Sequence, residues 1–230
     1  FMGVPFHVWG AHDWVIQYTY FGGDGIGNDF NVHRELWSGV DNDRWTFRWN
    51  YIKDINNSAV IGFVNEGGTT DSVEIYGNIV DYRPSGQSPS FFVDMDPGLA
   101  SNWKAFNNTV VAWNGGSPGY NLNGGSGYFL NNIYANHVHD YGPGLSGTVS
   151  HNSFYNMTRP GVGSVVASWV AIGSNGQALS GDPFVNYSTR DLRLANGTSV
   201  SAGTSANSPT SNSVDMFGNV RGADGVWDRG

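Results

Sequence analysis

Cysteine is absent from the 230 residues, which excludes a disulfide framework, a thiolate nucleophile and a cysteine-ligated metal. Charge is scarce, at 13% of the chain, and unbalanced: 11 Lys and Arg stand against 19 Asp and Glu, a formal net charge of −8. That balance argues against nucleic acid or an anionic membrane surface as a partner, since either would repel the chain as a whole. No apolar run approaches the ~18 residues that span a bilayer. Helix signals are nearly missing too, because no long stretch repeats its apolar residues every ~3.6 positions and no capping box opens one. The opening Phe1-Met2-Gly3-Val4-Pro5 lacks a signal-peptide pattern, so the chain reads as starting part-way through a longer protein or after processing.

What is present is turns, aromatics and one recurring phrase. The chain has 33 Gly and 9 Pro, and its 9 Trp, 11 Tyr and 13 Phe exceed what a core of this size absorbs, which points to a binding surface. The phrase is an apolar strand that breaks at asparagine and resumes apolar, as in Trp45-Thr46-Phe47-Arg48-Trp49-Asn50-Tyr51-Ile52. It returns at Asn78, Asn108, Asn132 and Asn152, and a degenerate earlier copy has Thr19 in the same place. From Thr19 onward the steps are 31, 28, 30, 24 and 20 residues, periods that mark a repeat architecture.

Three positions before each Asn stands Phe47, Ile75, Ala105, Phe129 or Val149, and two after it Ile52, Val80, Val110, Tyr134 or Phe154. One face is therefore apolar on both sides of a corner. Asparagine tolerates the left-handed backbone that such a corner needs, and equivalent Asn side chains in stacked repeats can bond one another in a ladder. The simplest object with these properties is an all-β, right-handed parallel β-helix, a solenoid whose coils cannot bury their apolar sides alone. Residues 1–230 read as one such domain: irregular first coils over 1–44, regular coils over 45–157, and final coils with a tail over 158–230.

Facing follows from the strand period. Trp45, Phe47, Val73 and Ile75 point inward; Arg48, Tyr76, Phe106 and Leu130 form one outward row, and Thr46, Glu74, Lys104 and Tyr128 another. Glu74 then neighbours Lys104, and Lys53 neighbours Asp81. The Tyr76 and Phe106 row is either a sugar-stacking platform or a strip covered by loops. In the first stretch, His33, Glu35 and Trp37 share one side of an extended strand, followed by Asp41-Asn42-Asp43-Arg44, which also reads as a plain turn. Trp9 lies in an aromatic and histidine-rich opening, Phe6 to Trp14. Segments 83–102 and 137–147 read as loops, the second with His137 and His139 at a spacing that can share a metal, though without an identifiable third ligand.

Toward the end of the chain come Asp182-Pro183-Phe184-Val185, Asp191-Leu192-Arg193-Leu194-Ala195-Asn196-Gly197-Thr198, and Asp215-Met216-Phe217-Gly218-Asn219-Val220-Arg221. These phrases resemble the closing segment of bacterial secreted right-handed parallel β-helix proteins of the pectate-lyase-like superfamily, with Thr198 in place of the usual serine. The resemblance implies a secreted or cell-surface protein that acts on an extracellular polysaccharide. It leaves the activity open, because that superfamily hosts lyases, hydrolases, epimerases, tailspikes and adhesins.

Two chemistries suit the residues. A polysaccharide lyase acting by β-elimination on a uronate needs a base and a cation cluster, for which His33 and the group Arg34, Arg44, Arg48 and Lys53 are candidates. Calcium is the cofactor such an enzyme could recruit, with Asp29 and Glu35 as first candidate ligands and Asp41 and Asp43 beside them. A glycoside hydrolase would instead pair Glu35 with Asp41 or Asp43. Trp9, Trp37, Arg44, Tyr76 and Phe106 are the candidate substrate contacts. The non-catalytic alternative is a glycan-binding, adhesin or tailspike-like β-helix. The expected partner is a polysaccharide in either case, and the oligomeric state is left open.

Overall fold

The computed structural model describes residues 6–22, 37–53, 59–63, 69–82, 91–95, 100–112, 120–122, 126–135, 146–156, 174–195, 203–205, 208, 210–223, 227 and 230. Short β-branched and aromatic segments alternate with corners, and the chain winds through the same three walls pass after pass. Coil 1 holds β1 (Phe6–Trp9), β2 (Val15–Gln17) and β3 (Tyr20–Gly22), and coil 2 holds β4 (Trp37–Val40), β5 (Thr46–Arg48) and β6 (Tyr51–Lys53). Coil 3 holds β7 (Ala59–Phe63), β8 (Thr70–Asp71), β9 (Glu74–Tyr76) and β10 (Ile79–Tyr82). Coil 4 holds β11 (Phe91–Met95), β12 (Ala100–Ser101), β13 (Trp103–Phe106) and β14 (Thr109–Ala112). Then come β15 (Tyr120–Leu122), β16 (Ser126–Leu130) and β17 (Ile133–Ala135) in coil 5, β18 (Ser146–Ser150) and β19 (Ser153–Tyr155) in coil 6, and β20 (Gln177–Leu179) in coil 7.

The walls are sheets of five, six and seven strands, ordered β1-β4-β7-β11-β15, β2-β5-β9-β13-β16-β18 and β3-β6-β10-β14-β17-β19-β20. Every pairing in them is parallel and joins equivalent positions one coil apart, such as Ile16 with Phe47 and Phe47 with Ile75. This is the arrangement of a parallel β-solenoid. The described residues contain no α-helix, and no helix among them is long and apolar enough to cross a membrane.

The expected inward residues form the core: Trp45, Phe47, Val73, Ile75, Ala105 and Phe129 are all buried. The asparagine ladder is continuous. The Asn50 Nδ2 donates to Asn78 Oδ1 at 3.1 Å, Asn78 to Asn108 at 2.9 Å, Asn108 to Asn132 at 3.0 Å and Asn132 to Asn152 at 3.0 Å. Each amide also donates to a strand carbonyl of the coil before, as Asn78 does to Phe47 O at 2.9 Å, so both amide hydrogens are used in the dry interior. One expectation needs correction. The left-handed residue is the one before each corner position, Thr19 or a ladder Asn, namely Tyr18, Trp49, Gly77, Asn107, Asn131 and His151, with φ from 50° to 64°. Its bend turns the following Asn side chain inward, where the ladder needs it.

The C-terminal segment covers the outside of the middle coils. β21 (Phe184–Asn186) and β22 (Asp191–Leu194) pair antiparallel, and Phe184 and Leu192 pack on Val111, Ala135 and Leu179 of the third wall. Between those strands Arg190, itself left-handed, forms an ion pair with the fully buried Asp81. Lys53 is the register neighbour of Asp81 as expected, yet that carboxylate is engaged by Arg190 and by the Tyr51 hydroxyl at 3.3 Å. Farther on, Asn212 donates to Asn107 at 2.9 Å, and Thr204 and Asn131 exchange two hydrogen bonds.

Candidate functional site

Among the described residues, the outward positions of the second wall stay exposed or half-buried in coils 1 and 2, and that is where the chemistry-bearing side chains gather. Arg48 projects outward from β5. Its Nε donates to Gln17 Oε1 at 2.7 Å and its Nη1 to Tyr76 Oη at 2.8 Å, while the guanidinium carbon lies 4.3 Å from the Trp49 ring centroid. The cation is thus held by neutral partners and a π face, and among the described residues no carboxylate touches it. On the same two coils aromatic rings pack at a tilt: Tyr18 against Trp49 with centroids 5.0 Å apart, and Tyr20 against Tyr51 on the third wall at 5.7 Å. Tyr18 and Tyr20 are 63% and 62% exposed, so each ring keeps accessible surface beside the neighbour that supports it. Burial, reinforced by the Asp81 charge, pushes the Tyr51 hydroxyl up to about 12, so it stays protonated and donates to that carboxylate.

The other margin of the same wall is a corner where Ala11-His12-Asp13, Asn42-Asp43-Arg44, Thr70-Asp71-Ser72 and Ala100-Ser101-Asn102 stack in register. The last residue of each triplet is left-handed, at φ 55° to 61°. Asn42 is a second buried corner amide, accepting from Ala11 N at 2.8 Å and donating to Val8 O at 3.2 Å. The His12 Nδ1 faces Asp43 Oδ2 at 3.4 Å. Arg44 grips Asp13 with two bonds of 2.5 and 2.8 Å, and that guanidinium holds the Asp13 carboxyl below its ordinary range. Asp71 is also held low, first by the Ser101 hydroxyl, then by Ser72 and Asn102, which donate at 2.6 and 2.8 Å from the latter two.

Of the residues singled out from sequence, Asp29, His33 and Glu35 lie outside the described residues, as do His137, His139 and the side chain of Trp37. Trp9 ends β1 with 60% of its surface exposed, and Asp41 occupies a left-handed turn, φ 53°, on the surface. Asp43 and Arg44 sit at the corner with His12 and Asp13, and Arg48 sits at the wall. Tyr76 and Phe106 require correction as substrate contacts: they do point out of the strand, but they are fully buried with Trp49 and Leu130 beneath Val214 and Met216. A ring sealed on both faces cannot stack on a sugar. Among the described residues no group of three His, Asp or Glu is placed to hold a metal ion.

Sequence reasoning missed Tyr18, Tyr20, Gln17 and the His12–Asp43 contact. The available signal was the first repeat step: His12 and Asp43 are 31 residues apart, the same distance as Thr19 and Asn50. No protein-family model, curated protein or solved structure matches this chain.

Proposed function

We propose that this chain is a right-handed parallel β-helix, secreted or displayed at a cell surface, that binds an extracellular uronate-containing polysaccharide on the open wall of coils 1 and 2. The handedness follows from the strong right-handed preference of connections between parallel strands of one sheet. The observation that carries the function is Arg48, a guanidinium oriented by Gln17 and Tyr76 and, among the described residues, given no acidic partner in a chain of net charge −8. A planar carboxylate is the ligand that a guanidinium recognises best. The supported rings of Tyr18 and, on the neighbouring third wall, Tyr20 offer apolar surface to the C–H side of a sugar, and Lys53 adds a second cation on that third wall.

A catalytic reading, β-elimination by a polysaccharide lyase, is favoured by the His12–Asp43 contact. An imidazole oriented by a carboxylate is a general-base arrangement. In such a reaction it would take the proton beside the uronate carboxylate while a C=C bond forms, the C–O bond to the leaving sugar breaks and the leaving oxygen takes a proton from solvent water.

The test is calorimetric titration with a uronate polysaccharide and its neutral counterpart, with and without calcium, alongside absorbance of unsaturated product. Binding of the acidic polymer alone is expected, and Arg48→Ala should weaken it roughly tenfold or more, since hydrogen bonds to charged groups are worth about 1.5–3 kcal/mol. Unsaturated product lost in His12→Ala would establish the lyase. Unchanged affinity in both Arg48→Ala and Tyr20→Ala would remove the binding reading.

A further inference from the structure

Ser150 and His151 sit where β18 of coil 6 runs into its corner. Ser150 closes the strand in the outward row after Leu130, with only 5% of its surface exposed. His151 is the left-handed residue that follows, at φ 55°, and is half-buried. That bend brings the imidazole back beside the serine, and its Nδ1 lies 2.9 Å from Ser150 Oγ. In the tautomer that carries its proton on Nε2, Nδ1 accepts the serine hydroxyl.

The solenoid asks for neither side chain. Positions equivalent to Ser150 are filled by Arg48, Tyr76, Phe106 and Leu130, and positions equivalent to His151 by Trp49, Gly77, Asn107 and Asn131. Stacking therefore dictates the backbone at both places and leaves the side chain open. Asn107 and Asn131, the two corner amides before His151, reach the C-terminal segment through Asn212 and Thr204, whereas His151 gives its Nδ1 to its own chain neighbour. A serine hydroxyl bonded to an imidazole nitrogen is the arrangement that turns serine into a nucleophile.

We propose that Ser150 and His151 form an acyl-transfer site that hydrolyses small acyl esters, an activity separate from the uronate-binding wall. Ser150 Oγ attacks the acyl carbon as its proton passes to His151 Nδ1. The C–O bond to the alcohol then breaks, and the departing oxygen takes that proton. His151 next takes a proton from water, whose oxygen attacks the acyl-serine. The bond to Ser150 breaks, its oxygen recovers the proton, and a carboxylic acid leaves. Two features set the substrate class. An alkoxide leaves an acyl carbon more readily than an amine anion does, so a serine–imidazole pair suits esters before amides. At 5% exposure the serine is within reach of a slim acyl group such as acetyl and not of a bulky one. Asn175 follows Ser174, the bridge partner of Ser150, and is left-handed like His151, at φ 57°. The corner thus also carries a side-chain amide of the kind that donates to an oxyanion.

The full chain is tested with p-nitrophenyl acetate and an O-acetylated polysaccharide, reading nitrophenolate and acetate release, while a fluorophosphonate probe and peptide mass spectrometry locate the nucleophile. Acetate release and label on Ser150 are expected, and release should fall about 100-fold or more in Ser150→Ala and in His151→Asn, since a positioned general base contributes about 10²–10⁴. Both variants keep the corner: the outward row already takes many side chains, and asparagine already stands in the His151 column at Asn107 and Asn131. Circular dichroism and denaturant midpoints should therefore not move. No acetate release, no label on Ser150, or release that persists in either variant would overturn the site. Both residues lie four coils from Arg48, so uronate affinity should be unchanged in both variants, and the two proposals fail separately.

Discussion

Coils 1 and 2 and coils 3 to 6 share the same strand rows but show opposite outer surfaces. Along the second wall the outward row runs Gln17, Arg48, Tyr76, Phe106, Leu130, and along the third it runs Lys53, Asp81, Val111, Ala135, Tyr155, Leu179. Both rows leave solvent at coil 3, where the C-terminal segment arrives: Val214 and Met216 lie on the first row, and Phe184 and Leu192 on the second. A solenoid wall has no fixed character of its own. Its inward face is dictated by stacking, whereas its outward face is polar or apolar according to what lies over it.

The largest expected contrast follows directly. Phe106→Ala opens a cavity under Val214 and Met216 and should cost about 3–5 kcal/mol, while Tyr18→Ala, stripping an exposed ring from coil 1, should cost about 1 kcal/mol or less. Denaturant midpoints decide it, and similar losses for both would erase the distinction between covered and open coils. A smaller contrast separates the interior of the ladder from its end. Asn108→Ala removes the acceptor of the buried Asn78 N–H and a donor to Ile75 O and Asn132 Oδ1, and should cost about 1–3 kcal/mol, whereas Thr19→Ala loses one exposed local bond and should stay within roughly 0.5 kcal/mol.

The ladder was legible in sequence because the interior imposes one requirement that few residues meet. A buried corner amide must donate twice and accept at least once, and asparagine does so on a short stem, so Asn78, Asn108 and Asn132 repeat in type. The left-handed position before it was not legible, because Tyr18, Trp49, Gly77 and His151 share no side-chain chemistry and only the backbone recurs. Gly77 alone is forced by space, since a Cβ there would lie 2.7 Å from the Trp49 ring. The facing of Tyr76 and Phe106 followed from the strand period, but their burial depends on Met216, far downstream, and no local pattern carries that. Arg48 could be named from its outward position; Gln17 and Tyr18 could not, because the first coil reads as degenerate until its register with coil 2 is known.

The smallest expected effect lies at the corner between the first two walls. Asp13 in coil 1 and Asp71 in coil 3 both have carboxyls held below their ordinary value, but by different means: a guanidinium for Asp13, hydroxyl and amide donors for Asp71. A depressed carboxyl stabilises the fold above its unfolded value near about 3.9, and that contribution is lost as pH falls through the folded value. The Asp13–Arg44 pair is exposed, so about 1 M salt, with a screening length of roughly 3 Å, should let the Asp13 value drift back up. Neutral donors are not screened in that way, and Asp71 should hold its low value. Carboxyl NMR titrations at low and high salt would show it. Equal salt responses would mean that Arg44 reaches Asp71 as strongly as Asp13, and that the corner is one electrostatic unit across coils 1 to 3.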